Sequence, residues 1–169
     1  MLLNTLQWQV LKPFVDETLT SLEKTLNLRG QADDGFQDKI EEFSFKGYAV
    51  VANTAGNITG RVLIHHYTET AIAIGNQLIR KQNPNLSEAH EMDDSVSNAL
   101  ADFANMIISP AVKKLDEEQI SVSISQPYFI SDTKKMDGLL EDVQEIITVP
   151  IRVDQIGRFY INYLIHSQA

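Results

Sequence analysis

The sequence contains no cysteine, and this absence removes several classes of chemistry at once. Disulfide frameworks, thiolate zinc sites, iron–sulfur clusters and cysteine nucleophiles all require that residue. The fold must therefore rest on a hydrophobic core. The chain has 169 residues, of which 43% are hydrophobic and 22% charged. A chain of this length can bury about 70% of its unfolded surface, so one domain over residues 1–169 is expected.

Basic residues and long apolar runs are also scarce. There are 14 Lys and Arg residues against 23 Asp and Glu, a formal net charge of −9, and the basic residues are scattered. Because nucleic acid and anionic lipid are bound through clustered positive charge, neither is an expected partner. The longest uncharged stretch, Gly47 to Gly60, has 14 residues, whereas a membrane-spanning helix needs about 20. With no signal-peptide pattern at the start, a cytoplasmic protein is expected.

The common catalytic motifs are missing from the sequence. It contains no GxxxxGK[ST], GxGxxG, GxSxG or HExxH pattern. His65 and His66 are adjacent on a predicted strand, so they should point to opposite faces, as a solvated or hydrogen-bonded pair and not as metal ligands. His90 and Asp94 have i, i+4 spacing, but a surface position near a helix start is the simpler interpretation. No metal site is predicted in this chain.

The first third of the chain predicts a helix followed by a β-hairpin. Apolar residues spaced three to five apart predict a helix over residues 2–28, which Pro13 either kinks or begins. A polar loop is expected over 30–35. Residues 43–67 are rich in Val, Ile, Tyr and Phe and are divided by Ala55-Gly56-Asn57, a pattern typical of two antiparallel strands.

Two further helices are predicted in the middle of the chain. Thr68 is a candidate N-cap for a helix over 69–82. Ser87 is the candidate N-cap of a longer helix that reaches about Leu115, although Ser109-Pro110 should kink or break it near its end.

The last third of the chain predicts strands. Residues 120–130 alternate between apolar and polar types, residues 136–142 form a polar connection, and residues 148–165 predict a hairpin around Asp154 to Gly157. The order of elements predicts an α+β domain with a mainly antiparallel sheet covered by helices.

The long helix carries five short polar side chains with spacings of 3, 4, 3 and 4, which place them on one face: Ser95, Asn98, Asp102, Asn105 and Ser109. The next stripe is apolar and should face the core: Val96, Leu100, Phe103 and Ile107. Ser, Asn and Asp are mediocre or poor helix formers, and Lys, Glu or Gln would be expected on an ordinary exposed face. This pattern favours a role for the polar stripe beyond helix stability.

Short side chains on a helix present their polar groups at a fixed geometry. An Asn cannot act as a general base at neutral pH, but it can orient a water or a phosphoryl oxygen. Phosphoryl transfer depends largely on such positioning. The alternative is a mildly polar surface helix whose short residues have no special role.

At this helix the sequence resembles the CheC/CheX group of chemotaxis phosphatases, which dephosphorylate the phospho-aspartate of the response regulator CheY. The resemblance rests on DDSVSNALADFANMIISPAVKKL, the following ISVSISQPYFI, and the earlier GYAVVANTAGNITGRVLIHHYTETAIAIGNQLI. The family signature is a carboxylate and an Asn with two residues between them on an exposed helix. Asn105 matches the Asn, and Asp102 stands where the family has Glu. Asn98 replaces the usual Asp or Ser, and Pro127 follows Asn105 by 22 residues, one short of the usual spacing.

The resemblance implies a CheC-like α+β fold with a long exposed helix against which the N-terminal helix packs. It implies that Asn105 orients the attacking water and that Asp102 contacts the conserved lysine of a phosphorylated CheY-like receiver domain. Ser95, Asn98 and Ser109 would then bind the partner. Mg²⁺ would be held by the receiver and not by this chain. One signature copy is visible, as in the CheX form, and that form implies a homodimer.

Other functions stay open at this point. Asp is one methylene shorter than Glu and loses about 1.5 Å of reach, so a noncatalytic CheX-like adaptor that binds a receiver or another signalling partner without turnover is the main alternative. A small-molecule or structural module, with the polar stripe as plain surface, is a third hypothesis.

Overall fold

A computed structural model describes residues 1–132 and 138–166. One curled antiparallel sheet carries three helices on one face, which confirms the predicted α+β class. The helices are α1 (Thr5–Leu26), α2 (Thr68–Gln82) and α3 (Asp94–Glu117), with a 3₁₀ turn at Ile40–Glu42. The strands are β1 (Gly30–Ala32), β2 (Phe36–Asp38), β3 (Tyr48–Gly56), β4 (Gly60–His66), β5 (Val122–Ile124), β6 (Tyr128–Ser131), β7 (Val143–Val153) and β8 (Gly157–His166).

The strands follow the order β1-β7-β8-β4-β3-β5, with β2 also on β7 and β6 also on β3. The two predicted hairpins are confirmed as β3–β4 and β7–β8. Successive side chains of a strand point to opposite faces of the sheet, so alternate residues of the central strands belong to two different hydrophobic clusters. In β4, Val62 and Ile64 face the helices, whereas Leu63 joins a smaller cluster on the opposite face.

Helix α1 begins with a capping box. The Asn4 side chain accepts a hydrogen bond from the Gln7 backbone (2.8 Å), and the Gln7 side chain accepts one from the Asn4 backbone (3.0 Å). The helix runs through Pro13, which lies buried in its interior, so of the two predicted alternatives the one in which the helix begins at this proline is wrong. Helix α1 packs along α3, where the Lys114 ammonium lies 2.8 Å from the Glu17 carboxylate.

The predicted starts of α2 and α3 are both wrong. Thr68 is the first residue of α2, after Tyr67 as N-cap. Ser87 lies in a segment that contains no helix, and α3 begins at Asp94 behind an Asp93 cap whose carboxylate accepts from the Val96 backbone (2.8 Å). His90 therefore precedes α3 and forms no helical pair with Asp94. The competing signal was Asp93, an N-cap residue six positions downstream.

Gly75 brings α2 close to the first turns of α3. A Cβ at this position would lie 2.5 Å from Cγ1 of Val96, closer than packed carbon atoms come. The absence of a side chain at Gly75 thus allows the first turn of α3 to pack closely against α2.

Helix α3 continues through Pro110 to Glu117, so the predicted break is not present. Proline has no backbone N–H, so the Met106 carbonyl loses its usual helical partner. Burial compensates for that loss, because both sides of Pro110 are anchored in the core by Ile107, Ile108, Ala111 and Leu115.

Two other predictions need correction. The expected loop at 30–35 contains β1, which pairs with β7. The expected strand at 120–130 is divided near Pro127 into β5 and β6, because proline cannot donate to a ladder, and both pieces pair with β3. Of the predicted 136–142 connection, residues 136 and 137 lie outside the described residues, and residues 138–142 form turns.

Candidate functional site

Helix α3 presents the polar stripe to solvent over most of its length. All five members are exposed: Ser95, Asn98, Asp102, Asn105 and Ser109. The neighbouring apolar stripe is buried: Val96, Leu100, Phe103 and Ile107. The prediction of one polar face beside a core-facing stripe is confirmed.

Asn105 is held by one side-chain contact within this stripe. Ser109 lies one turn further along α3, and its hydroxyl donates to Oδ1 of Asn105 at 3.2 Å. The amide nitrogen of Asn105 donates to no protein atom among the described residues. The amide therefore offers its N–H groups, and the second lone pair of Oδ1, to a molecule that approaches the face.

Asp102 supplies the negative charge of this face. Its exposed carboxylate takes part in no ion pair within residues 1–132 and 138–166. It precedes Asn105 by three residues, so the two side chains are neighbours on one helical surface. Met106, at 39% exposure, adds an apolar side chain beside Asn105. The polar pattern did not reveal this residue, since its position in the helical period lies between the buried and exposed stripes.

Pro127 lies outside the helix, in the loop between two strands that α3 contacts. It is half-buried between β5 and β6, and α3 packs against both of these strands.

Helix α2 also carries an asparagine, Asn76, but its side chain holds the backbone of a neighbouring segment. Nδ2 of Asn76 on α2 donates to the Ala89 carbonyl, and Oδ1 accepts from the Ala89 backbone N–H, both at 2.9 Å. This pair fixes the segment between α2 and α3. Position 73, three residues before Asn76, is Ala. Among the described residues, α2 presents no second carboxylate–Asn pair with a free amide.

The two adjacent histidines of β4 point to opposite faces, as predicted, but both are buried. Nε2 of His65 lies 2.7 Å from the Lys46 carbonyl, and burial lowers the pKa of His65 despite that contact. His66 is neither solvated nor hydrogen-bonded, contrary to prediction: its ring lies 4.8 Å from that of Phe159, and neither nitrogen has a partner among the described residues. Complete burial lowers the pKa of His66 to about 3, with a smaller effect from His65.

Metal ligands are not grouped anywhere in the part of the chain that the structure describes. Over the same residues, the structure contains no helix with the length and apolarity required to span a bilayer.

A family model described as chemotaxis phosphatase CheX matches residues 48–150, which is more than half of the chain. The chain belongs to the CheX family. The match includes β3, β4, α2, all of α3 and most of β7, so the polar stripe lies inside it. A search of curated proteins gives no match.

Solved structures share the fold at low sequence identity. A chemotaxis protein CheX from Desulfovibrio desulfuricans has a TM-score of 0.77 at 16% identity, over 94% of this chain and 99% of that one. A CheX–CheY–BeF₃–Mg²⁺ complex from Borrelia burgdorferi gives 0.72 at 22% identity, over 94% and 98%. FliY from Thermotoga maritima gives 0.71 at 13% identity, over 98% and 92%. These likenesses confirm the CheC-like fold.

Proposed function

We propose that this CheX-family chain hydrolyses the aspartyl phosphate of a CheY-like receiver domain, with Asn105 orienting the attacking water and Asp102 contacting the receiver lysine. The observation that carries the proposal is the exposed Asn105 amide on a core-anchored helix, one turn from the Asp102 carboxylate, which forms no ion pair among the residues that the structure describes. The Borrelia relative, which was crystallised with CheY, BeF₃ and Mg²⁺, supports the choice of partner.

The chemistry requires little from this chain beyond positioning. A water oxygen attacks phosphorus in line with the receiver's aspartyl oxygen, the acyl P–O bond breaks, and orthophosphate leaves with the second product, a carboxylate. The water proton passes to phosphate or solvent, since an amide takes up no proton at neutral pH. Because the water is already held at the correct angle, the entropy lost on aligning it no longer contributes to the activation barrier.

Charge is the second contribution. The receiver's Mg²⁺ would neutralise the transferring phosphoryl group, and this chain would hold no metal. The Asp102 carboxylate would accept from the receiver's lysine ammonium, a charge-assisted hydrogen bond that fixes the register of the two proteins. Ser95 and Asn98, exposed on the same face towards the start of α3, would contact the receiver surface. We further propose a cytoplasmic homodimer, as in the CheX form.

The test follows the decay of a ³²P-labelled receiver alone, with the wild-type chain, and with Asn105→Ala. We expect the wild type to accelerate decay and Asn105→Ala to lose about 100-fold of the acceleration, the usual cost of removing one positioned donor. Asn85→Ala, at an exposed asparagine between α2 and α3, is the matched control. Equal decay in all arms, with each receiver of the host tried, would falsify the proposal.

The short carboxylate at position 102 favours a second candidate, a CheX-like adaptor that binds the phosphorylated receiver without turnover. Asp102→Glu adds about 1.5 Å of reach. The adaptor would be supported by a wild-type chain that binds a BeF₃-loaded receiver but does not accelerate the decay of the phosphorylated receiver. Phosphatase activity that appears only in Asp102→Glu would show that the shorter side chain is the cause.

A further inference from the structure

We infer that Ser109 is a positioning residue, whose hydroxyl holds the Asn105 amide in the orientation that the proposed reaction needs. The inference rests on the proposed function and assigns Ser109 a role through Asn105 and not through direct contact with the receiver. It rests on the hydrogen bond from Ser109 Oγ to Asn105 Oδ1, at 3.2 Å. Among the described residues, this is the one side-chain hydrogen bond that Asn105 forms.

Helix geometry brings the two side chains together. Residues i and i+4 lie on one face, and every Cα–Cβ bond tilts towards the helix N-terminus. The Ser109 side chain therefore leans back over the turn that carries Asn105. Because the hydroxyl donates, it fixes Oδ1 on the C-terminal side of the amide and leaves Nδ2 on the open side.

The flank of Ser109 is also fixed. Pro110 follows directly, with a φ angle locked near the helical value, and Ile108 and Ala111 are buried on either side. The backbone that carries the Ser109 hydroxyl is thus anchored to the core, although the hydroxyl itself is exposed.

The size of the effect follows from rotamer counting. An exposed helical Asn has about two accessible χ1 wells and a two-fold χ2, so a free amide divides its time over about four orientations. A hydrogen bond of ordinary strength favours one of them about fivefold. The productive fraction then rises from about a quarter to about two thirds. Loss of the hydroxyl should lower kcat about two- to fourfold, with KM for the phosphorylated receiver unchanged.

The experiment pairs a dynamic measurement with a kinetic one. The ¹⁵N order parameter of the Asn105 side-chain amide is measured in the wild type, Ser109→Ala and Ser109→Thr, and the same proteins are assayed on the phosphorylated receiver. Ser97→Ala is the matched control, because the Ser97 hydroxyl bonds the Asp94 carbonyl on the same helix and lies outside the stripe. We expect Ser109→Ala to lower the order parameter and kcat. Ser109→Thr, which keeps the hydroxyl, should leave both near the wild-type values, and Ser97→Ala should change neither.

Two outcomes overturn the inference alone: an Asn105 amide as mobile in the wild type as in Ser109→Ala, or a Ser109→Ala variant with full kcat. A wild-type chain that binds the receiver without hydrolysis instead overturns the proposed function, and the order parameters still decide whether Ser109 holds the amide.

Discussion

Acidification should destabilise this protein in large part through the imidazole of His66. The side chain is 1% exposed, its ring contacts that of Phe159, and neither nitrogen has a partner among the described residues. Burial lowers its pKa from 6.5 to about 3. The folded state therefore binds fewer protons than the unfolded state between these two values, so the stability present above pH 6.5 is lost as the pH falls towards 3.

The magnitude follows from the two pKa values. Each pKa unit corresponds to about 1.4 kcal/mol. Between pH 7 and pH 5, His66 should remove about 2 kcal/mol of the free energy of unfolding, and by pH 3 about 4 kcal/mol. Since single domains are stable by about 5–15 kcal/mol, this one side chain can account for much of the acid unfolding.

The assay is urea unfolding at pH 7 and pH 5 for the wild type and His66→Leu. We expect the wild type to lose about 2 kcal/mol more than the variant between the two pH values. The comparison uses each protein's own change with pH, so any offset caused by the leucine cancels. His90→Leu, at an exposed histidine, is the control for loss of an imidazole. Equal pH dependence in the wild type and His66→Leu would refute the reasoning.

Three further predictions concern stability, measured by urea unfolding at pH 7. Pro110→Ala restores an N–H donor for the Met106 carbonyl and should raise the free energy of unfolding by about 1–3 kcal/mol. An unchanged free energy of unfolding would contradict the idea that the missing hydrogen bond is a cost to α3. Tyr163→Phe removes a 2.8 Å bond from the buried hydroxyl to Thr54 Oγ1 and should cost about 1–2 kcal/mol, a loss that Thr54→Val should partly recover. Gly75→Ala should cost about 1–3 kcal/mol despite its better helix propensity, because the new methyl meets Val96; a stabilised variant would contradict that packing.

The sequence predicted most of the sheet and the exposed face because both depend on periodicity. The β3–β4 and β7–β8 hairpins carry long runs of strand-forming residues with a clear turn between them, and the α3 stripe repeats over four turns. These signals are local, so they survive without knowledge of the tertiary contacts.

The errors fell where tertiary contacts decide. Ser87 and Asp93 are both good N-caps, and the choice between them depends on Asn76, which holds Ala89 in a non-helical segment. Pro110 should break an isolated helix, but buried neighbours keep α3 intact. Burial of His66 depends on its strand's position in the middle of the sheet, and neighbouring residues in the sequence do not determine that position.

The two hydrogen bonds between the Asn76 side chain and the Ala89 backbone also limit how α2 could acquire a carboxylate–Asn pair like the one on α3. On α2, a substitution at Ala73 to a carboxylate would recreate the spacing found at Asp102 and Asn105. The new carboxylate would stand beside an amide whose donor and acceptor are both already engaged. Releasing that amide would remove both hydrogen bonds that hold the segment before α3 and so disturb the start of that helix. A second carboxylate–Asn pair with a free amide on α2 would therefore require new contacts for this segment as well, and a single substitution at Ala73 does not supply them.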